Sequence, residues 1–103
     1  MIDCEVILRV LDRKLREVSE RRLSSQLLAD WSDDQYWYLQ EELGQTNKTA
    51  EANFLREIFY DITTQWECVT ANAQSTSVEF SEKLLYQWLL QVQEYLVPRL
   101  SFS

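Results

Sequence analysis

Ile7, Val10, Leu11, Leu15 and Val18 recur at three- and four-residue spacings, and Arg9, Arg13, Arg16 and Glu20 fill the gaps between them. At about 100° per residue the two sets fall on opposite sides of a helix, which predicts a first amphipathic helix over residues 3–22. The stripe loses phase at Arg21-Arg22. It restarts at a new angle with Leu23, Leu27, Leu28 and Trp31 after Ser24-Ser25, which predicts a kink or a short second helix. Ser32 followed by Asp33, Asp34 and Gln35 has the form of an N-cap with acids in the first turn and a capping-box glutamine, and Gly44 has the form of a C′ glycine. A helix over 33–43 with Tyr36, Leu39 and Leu43 inside is therefore expected.

The clearest pattern runs from Ala50 to Ala73. Phe54, Leu55, Ile58, Phe59, Ile62, Trp66 and Val69 lie within an arc of about 140° on a helix. The polar run Asn72 to Ser77 interrupts it, and Thr76-x-x-Glu79 has the spacing of a capping box for a last helix. That helix is expected to bury Leu84, Leu85, Trp88, Leu89, Val92, Tyr95 and Leu96. It should stop near Val97, because the residue before Pro98 is disfavoured in the α region.

Four or five helices joined by loops of roughly two to eight residues favour antiparallel neighbours, hence a small all-α bundle. With no linker or repeat to divide the chain, one domain over residues 1–97 and a flexible tail over 98–103 are expected. A single glycine and a single proline among 103 residues support the all-helical reading, since an average chain of this length carries about 7 and 5. Tight turns that need positive φ have few residues to form them.

The formal charge is −7 with no histidine, and it is unevenly placed. Residues 1–30 carry six acids and six bases, whereas the rest of the chain carries eleven acids against four bases. Such a surface repels phosphate backbones, which argues against direct nucleic-acid binding and favours a basic partner. The row Arg9, Arg13, Arg16 does not change this. Glu5 and Asp12 each precede an arginine by four residues, so the first helix reads as a self-paired surface, with no aromatic interleaved to stack bases.

Absence of histidine removes nucleophile–base triads and histidine-based zinc sites. Cys4 and Cys68 form no CxxC pair, and Cys4 would sit in the first turn of a helix, where a thiol can be activated. Both are read as reduced thiols of a cytoplasmic chain. The start of the sequence lacks the basic and long apolar regions of a signal peptide, and no run of apolar residues is long enough to cross a bilayer. On that reading Asn47-Lys48-Thr49 is an accidental glycosylation sequon.

Carboxylates alone can hold Mg²⁺. Helical nucleoside-triphosphate pyrophosphatases place Glu-Glu-x-x-Glu on one helix and Glu-x-x-Asp on the next. Here Glu41-Glu42 is followed by Leu43, Gly44 and Gln45, and Glu57 and Asp61 are four apart, so both elements depart from that pattern. Glu57 and Asp61 also fall opposite the apolar arc of their helix, as a solvated face would. No metal and no cofactor is expected.

Tyr36, Trp37 and Tyr38 are consecutive on a helix, so their side chains fan over about 200° and cannot all reach one core. Trp and Tyr are enriched at binding hot spots. The expected function is a non-enzymatic protein-interaction module such as an inhibitor, antidote, adaptor or assembly factor. Its anchors would be Trp31, Tyr36, Trp37 and Tyr38, and Asp33, Asp34, Glu41 and Glu42 would form the acidic rim toward a basic protein partner. The same face could close a homodimer. A Mg²⁺-dependent nucleotide phosphohydrolase built on Glu41, Glu42, Glu57 and Asp61 and an acidic DNA mimic are the rival readings.

Overall fold

The computed structural model describes residues 4–43, 50–71 and 78–100, with side chains described for all of these except 42–43 and 97–100. Among them four helices form: α1 (Cys4–Ser19), α2 (Ser25–Leu43), α3 (Ala50–Ala71) and α4 (Glu82–Leu100). There is no strand among the described residues, and the expected all-α bundle is what the chain adopts. Gly44, Asn47 and Thr76, expected as a cap, a sequon and a capping-box residue, lie outside the described residues.

The loss of phase at Arg21-Arg22 is a helix stop. Arg21 has φ 65°, its N–H donates to the Val18 carbonyl at 3.1 Å, and the Arg22 N–H donates to the Glu17 carbonyl at 2.8 Å. This pair of reversed bonds closes a helix on a left-handed residue, a place usually taken by glycine. With a Cβ present that conformation costs about 1–2 kcal/mol.

The next helix starts at once, capped by Ser24, whose Oγ accepts from the Leu27 N–H at 3.2 Å. The second start expected at Ser32 does not exist. Ser32 sits in the middle of a continuous α2 and is fully buried. The inner stripe is Ser25, Leu28, Ala29, Ser32, Tyr36 and Leu39, and it keeps helical phase throughout. Two of its positions carry serine, so by polarity alone the stripe looks interrupted where the helix is not. Leu27, expected inside, projects to solvent instead.

On α1 the buried set is Leu8, Leu11, Leu15 and Val18, with Ile7 and Val10 only partly covered. The apolar arc of this helix is wider than its contact, so the neighbouring helices choose its centre, one residue along from the expected Ile7. The outer side carries the expected pairs, Arg9 to Glu5 at 3.3 Å and Arg16 to Asp12 at 3.1 Å, together with Arg13 to Glu17 at 3.8 Å. Exposed pairs of this kind contribute about 0.3–0.5 kcal/mol each.

α4 begins at Glu82, not directly after a box at Thr76, and Ser81 caps it, its Oγ accepting from the Leu84 N–H at 3.2 Å. Nor does it stop at Val97. The helix continues through Pro98 to Leu100, three residues expected in the tail, and residues 101–103 lie outside the described residues. Pro98 has no N–H to donate to the Glu94 carbonyl, so this last turn lacks one intrahelical bond.

Side-chain pairs give the directions. Gln40 meets Arg56 and Tyr36 meets Tyr60, so α2 and α3 run antiparallel. Phe54 stacks on Tyr95 at 4.3 Å, Trp88 bonds Asp61, and Trp66 meets Phe80, so α4 runs antiparallel to α3. The backbones of α2 and α3 lie close together, as do those of α1 and α4. Across the α3–α4 seam the contacts are carried by large rings, which span a wider gap. Between the helices lies one core of Leu8, Leu11, Leu15, Leu28, Leu39, Leu55, Phe59, Ile62, Trp88 and Val92, all almost wholly enclosed.

Three substitutions test these local features in urea unfolding. Arg21→Gly is expected to raise stability by roughly 0.5–1 kcal/mol, because it relieves the left-handed Cβ at some cost in chain entropy. Ser24→Ala should cost about 1 kcal/mol as the loss of a cap. Ser32→Ala should be neutral or stabilising by up to about 1 kcal/mol, since the Ser32 Oγ is buried with no hydrogen-bond partner among the described residues. A loss of a full kcal/mol at Ser32 would instead restore it as a cap.

Candidate interaction face

The aromatic fan on α2 is divided by the fold. Trp31 turns inward as far as its size allows, packing edge-on against Phe59 at 5.3 Å with the Lys14 Nζ lying 5.2 Å from its ring centroid. It is half-buried and joined to the core, so it stands apart from the solvent-facing rings. Tyr36 is also half-buried, at the seam where α2 meets α3. Trp37 is 58% exposed and Tyr38 41% exposed.

Tyr36 and Trp37 meet edge to face at 5.4 Å, and Tyr36 meets Tyr60 of α3 in the same manner at 5.9 Å. Trp37, Tyr36 and Tyr60 thus form one continuous aromatic surface across two helices. Tyr60, 51% exposed, was not among the sequence-derived candidates. The available signal was its position. It lies outside the apolar arc of α3, as Tyr38 lies outside that of α2, and a large aromatic off the inner arc must face either solvent or a neighbouring helix.

The orientation of Tyr36 is fixed by polar bonds. The Gln40 Nε2 donates to the Tyr36 Oη at 2.9 Å. The Arg56 guanidinium donates to the Gln40 Oε1 at 3.1 Å and to the Asn53 Oδ1 at 3.4 Å. These bonds close the α2–α3 seam at one end and hold the phenol ring against Tyr60. Beside the two rings lies an open groove of about 410 Å³ lined by Tyr36, Arg56, Glu57, Tyr60, Asp61 and Thr64.

The acidic residues are distributed over two sides of α2. Asp33, Asp34 and Glu41 are exposed, and the Glu42 side chain lies outside the described residues. Asp33 shares a stripe with Tyr36, Trp37 and Gln40, whereas Asp34, Tyr38 and Glu41 form a second stripe on another side. On α3 the exposed acids Glu57 and Asp61 border the groove, and Asp61 accepts from the Trp88 Nε1–H at 2.8 Å. One expected face is therefore two, and the larger one includes residues of α3.

Among the described residues no three acidic, cysteine or histidine side chains converge as a metal site would require. No described helix is long and apolar enough to cross a membrane. Cys4 and Cys68 are not joined to each other.

Truncation separates packing from surface. Trp31→Ala is expected to cost roughly 2–3 kcal/mol, since it removes a ring packed on the fully buried Phe59. Trp37→Ala should stay within about 1 kcal/mol of the parent, as surface substitutions do. Urea midpoints of the two variants, measured side by side, check the difference. Compared with protein-family models, curated proteins and solved structures, the chain finds no match.

Proposed function

We propose that this protein is a non-enzymatic interaction module that docks a basic protein partner on the face built by Trp37, Tyr36 and Tyr60. The observation that carries the reading is the continuous ring surface across α2 and α3, with Glu57 and Asp61 lining the groove beside it and the exposed Asp33 on the same stripe of α2 as Tyr36 and Trp37. Exposed tryptophan and tyrosine contribute little to the stability of a free bundle. At a protein interface they bury large areas with few rotamers to immobilise, which makes them effective anchors. The acids around them favour a partner of opposite charge and speed its encounter. An inhibitor, antidote, adaptor or assembly factor would each use such a face. The side bearing Tyr38, Asp34 and Glu41 is left as a second, smaller surface.

A bead-immobilised form tests the face in its native lysate. The Trp37→Ala/Tyr60→Ala double variant is expected to retain at least about ten-fold less of the partner captured by the parent chain, the loss typical of one hot-spot residue or more. Its urea midpoint should remain near that of the parent. Tyr86→Ala, which removes an equally exposed ring from α4, should keep full capture. Undiminished capture by the double variant sinks the proposed face. Capture that persists in the double variant but collapses steeply between low and moderate salt would favour the DNA-mimic reading.

A further inference from the structure

From the groove beside Tyr36 and Tyr60 we infer that the partner is recognised through an arginine side chain seated there against the rings and the carboxylates of Glu57 and Asp61. The inference presupposes the interaction face above and specifies its chemistry.

Glu57, Tyr60, Asp61 and Thr64 follow one another at positions i, i+3, i+4 and i+7, so α3 presents them as a single stripe along one wall. Tyr36 reaches the same groove from α2, its ring in edge-to-face contact with that of Tyr60 at 5.9 Å. Its ring stands at 87° to that of Tyr60, so the pair presents the face of one ring beside the edge of the other. A planar cation is held by such a corner, because the ring face carries the negative part of the quadrupole. A guanidinium fits better than an ammonium, since it stacks flat on an aromatic face while its N–H groups fork toward carboxylates.

The charge at the groove favours a cation. Glu57 has no ion pair among the described residues, and Asp61 has one oxygen engaged by Trp88. Arg56 also reaches the groove, but its guanidinium is held by Gln40 and Asn53 at the seam, and two carboxylates outnumber it. The antiparallel register that sets Tyr36 level with Tyr60 places Asp33 level with Thr63 and Thr64, one turn further along. A third acid thus stands beside the next basic residue of the same partner segment.

The probe is the blocked tripeptide acetyl-Gly-Arg-Gly-amide, titrated into the intact protein and followed by NMR at the Tyr60 ring and the Thr64 amide. The expected result is a saturable shift at both, with none at Tyr86. The citrulline analogue, equal in shape but uncharged, should bind at least about ten-fold more weakly, and the lysine analogue at least about three-fold more weakly. Glu57→Gln and Tyr60→Leu should each weaken arginine binding by about three-fold or more, whereas Tyr86→Leu should not change it. The inference is overturned if no saturable shift develops by about 10 mM, if citrulline or lysine binds as well as arginine, or if both groove variants bind like the parent. Should that happen while the Trp37→Ala/Tyr60→Ala variant still loses the captured partner, the interface stands and only the arginine is withdrawn. If the captured partner is indifferent to the double variant, the interface itself fails, whatever the peptide does.

Discussion

The arrangement of the four helices depends on a small polar knot where α2 begins. The Ser25 N–H donates to the Glu79 carboxylate at 2.9 Å, and the Ser25 Oγ–H donates to the same oxygen. In return the Ser25 Oγ accepts from the Phe80 N–H at 2.9 Å. A carboxylate at a helix N-terminus satisfies a backbone donor the helix cannot reach and opposes the positive end of its dipole. Here the carboxylate comes from the segment before α4. The bond therefore joins the start of α2 to the start of α4, 54 residues apart, and connects the α2–α3 pair to the α1–α4 pair.

The interior follows from that junction. Phe80, next to Glu79, is held by its own N–H at the entrance to the core, where it meets Trp66 of α3 at 5.4 Å and Trp88 of α4 at 4.9 Å. Three rings from three parts of the chain fill the wide seam between α3 and α4. At the other end of that seam Phe54 and Tyr95 stack. On the opposite side α2 and α3 pack closely, and Trp37 and Tyr60, which lie off the inner arcs of those helices, keep their rings exposed.

The same division explains the candidate site. The Tyr36–Gln40–Arg56–Asn53 chain of hydrogen bonds is a structural element of the α2–α3 seam, and it holds one ring of the aromatic surface in a fixed orientation. A preoriented ring binds without the entropy loss of ordering a free one. Rigid backing from α2 and α3, together with an acidic border, gives the face both shape and sign. In the proposed reading the acids need no convergence on one point, since a basic segment would meet them one after another.

The sequence alone determined the helical class, the amphipathic sides of α1 and α3, a change of phase at Arg21-Arg22 that left kink and stop both open, and the self-pairing of the arginines on α1, because these depend on residue spacing within one helix. It also determined that Tyr36, Trp37 and Tyr38 could not all be interior, since that is a matter of angles on a cylinder. Tertiary structure alone decided that Ser32 lies inside an unbroken helix. A small polar residue on an inner stripe looks like a cap until a neighbouring helix is seen to cover it. Only the fold could exchange Trp31 for Tyr60 in the exposed ring surface, place Glu79 on Ser25, and divide the acids between two sides of α2. Each of those outcomes depends on a contact between residues far apart in the chain, and spacing along one strand of sequence carries no information about which helix will lie beside which.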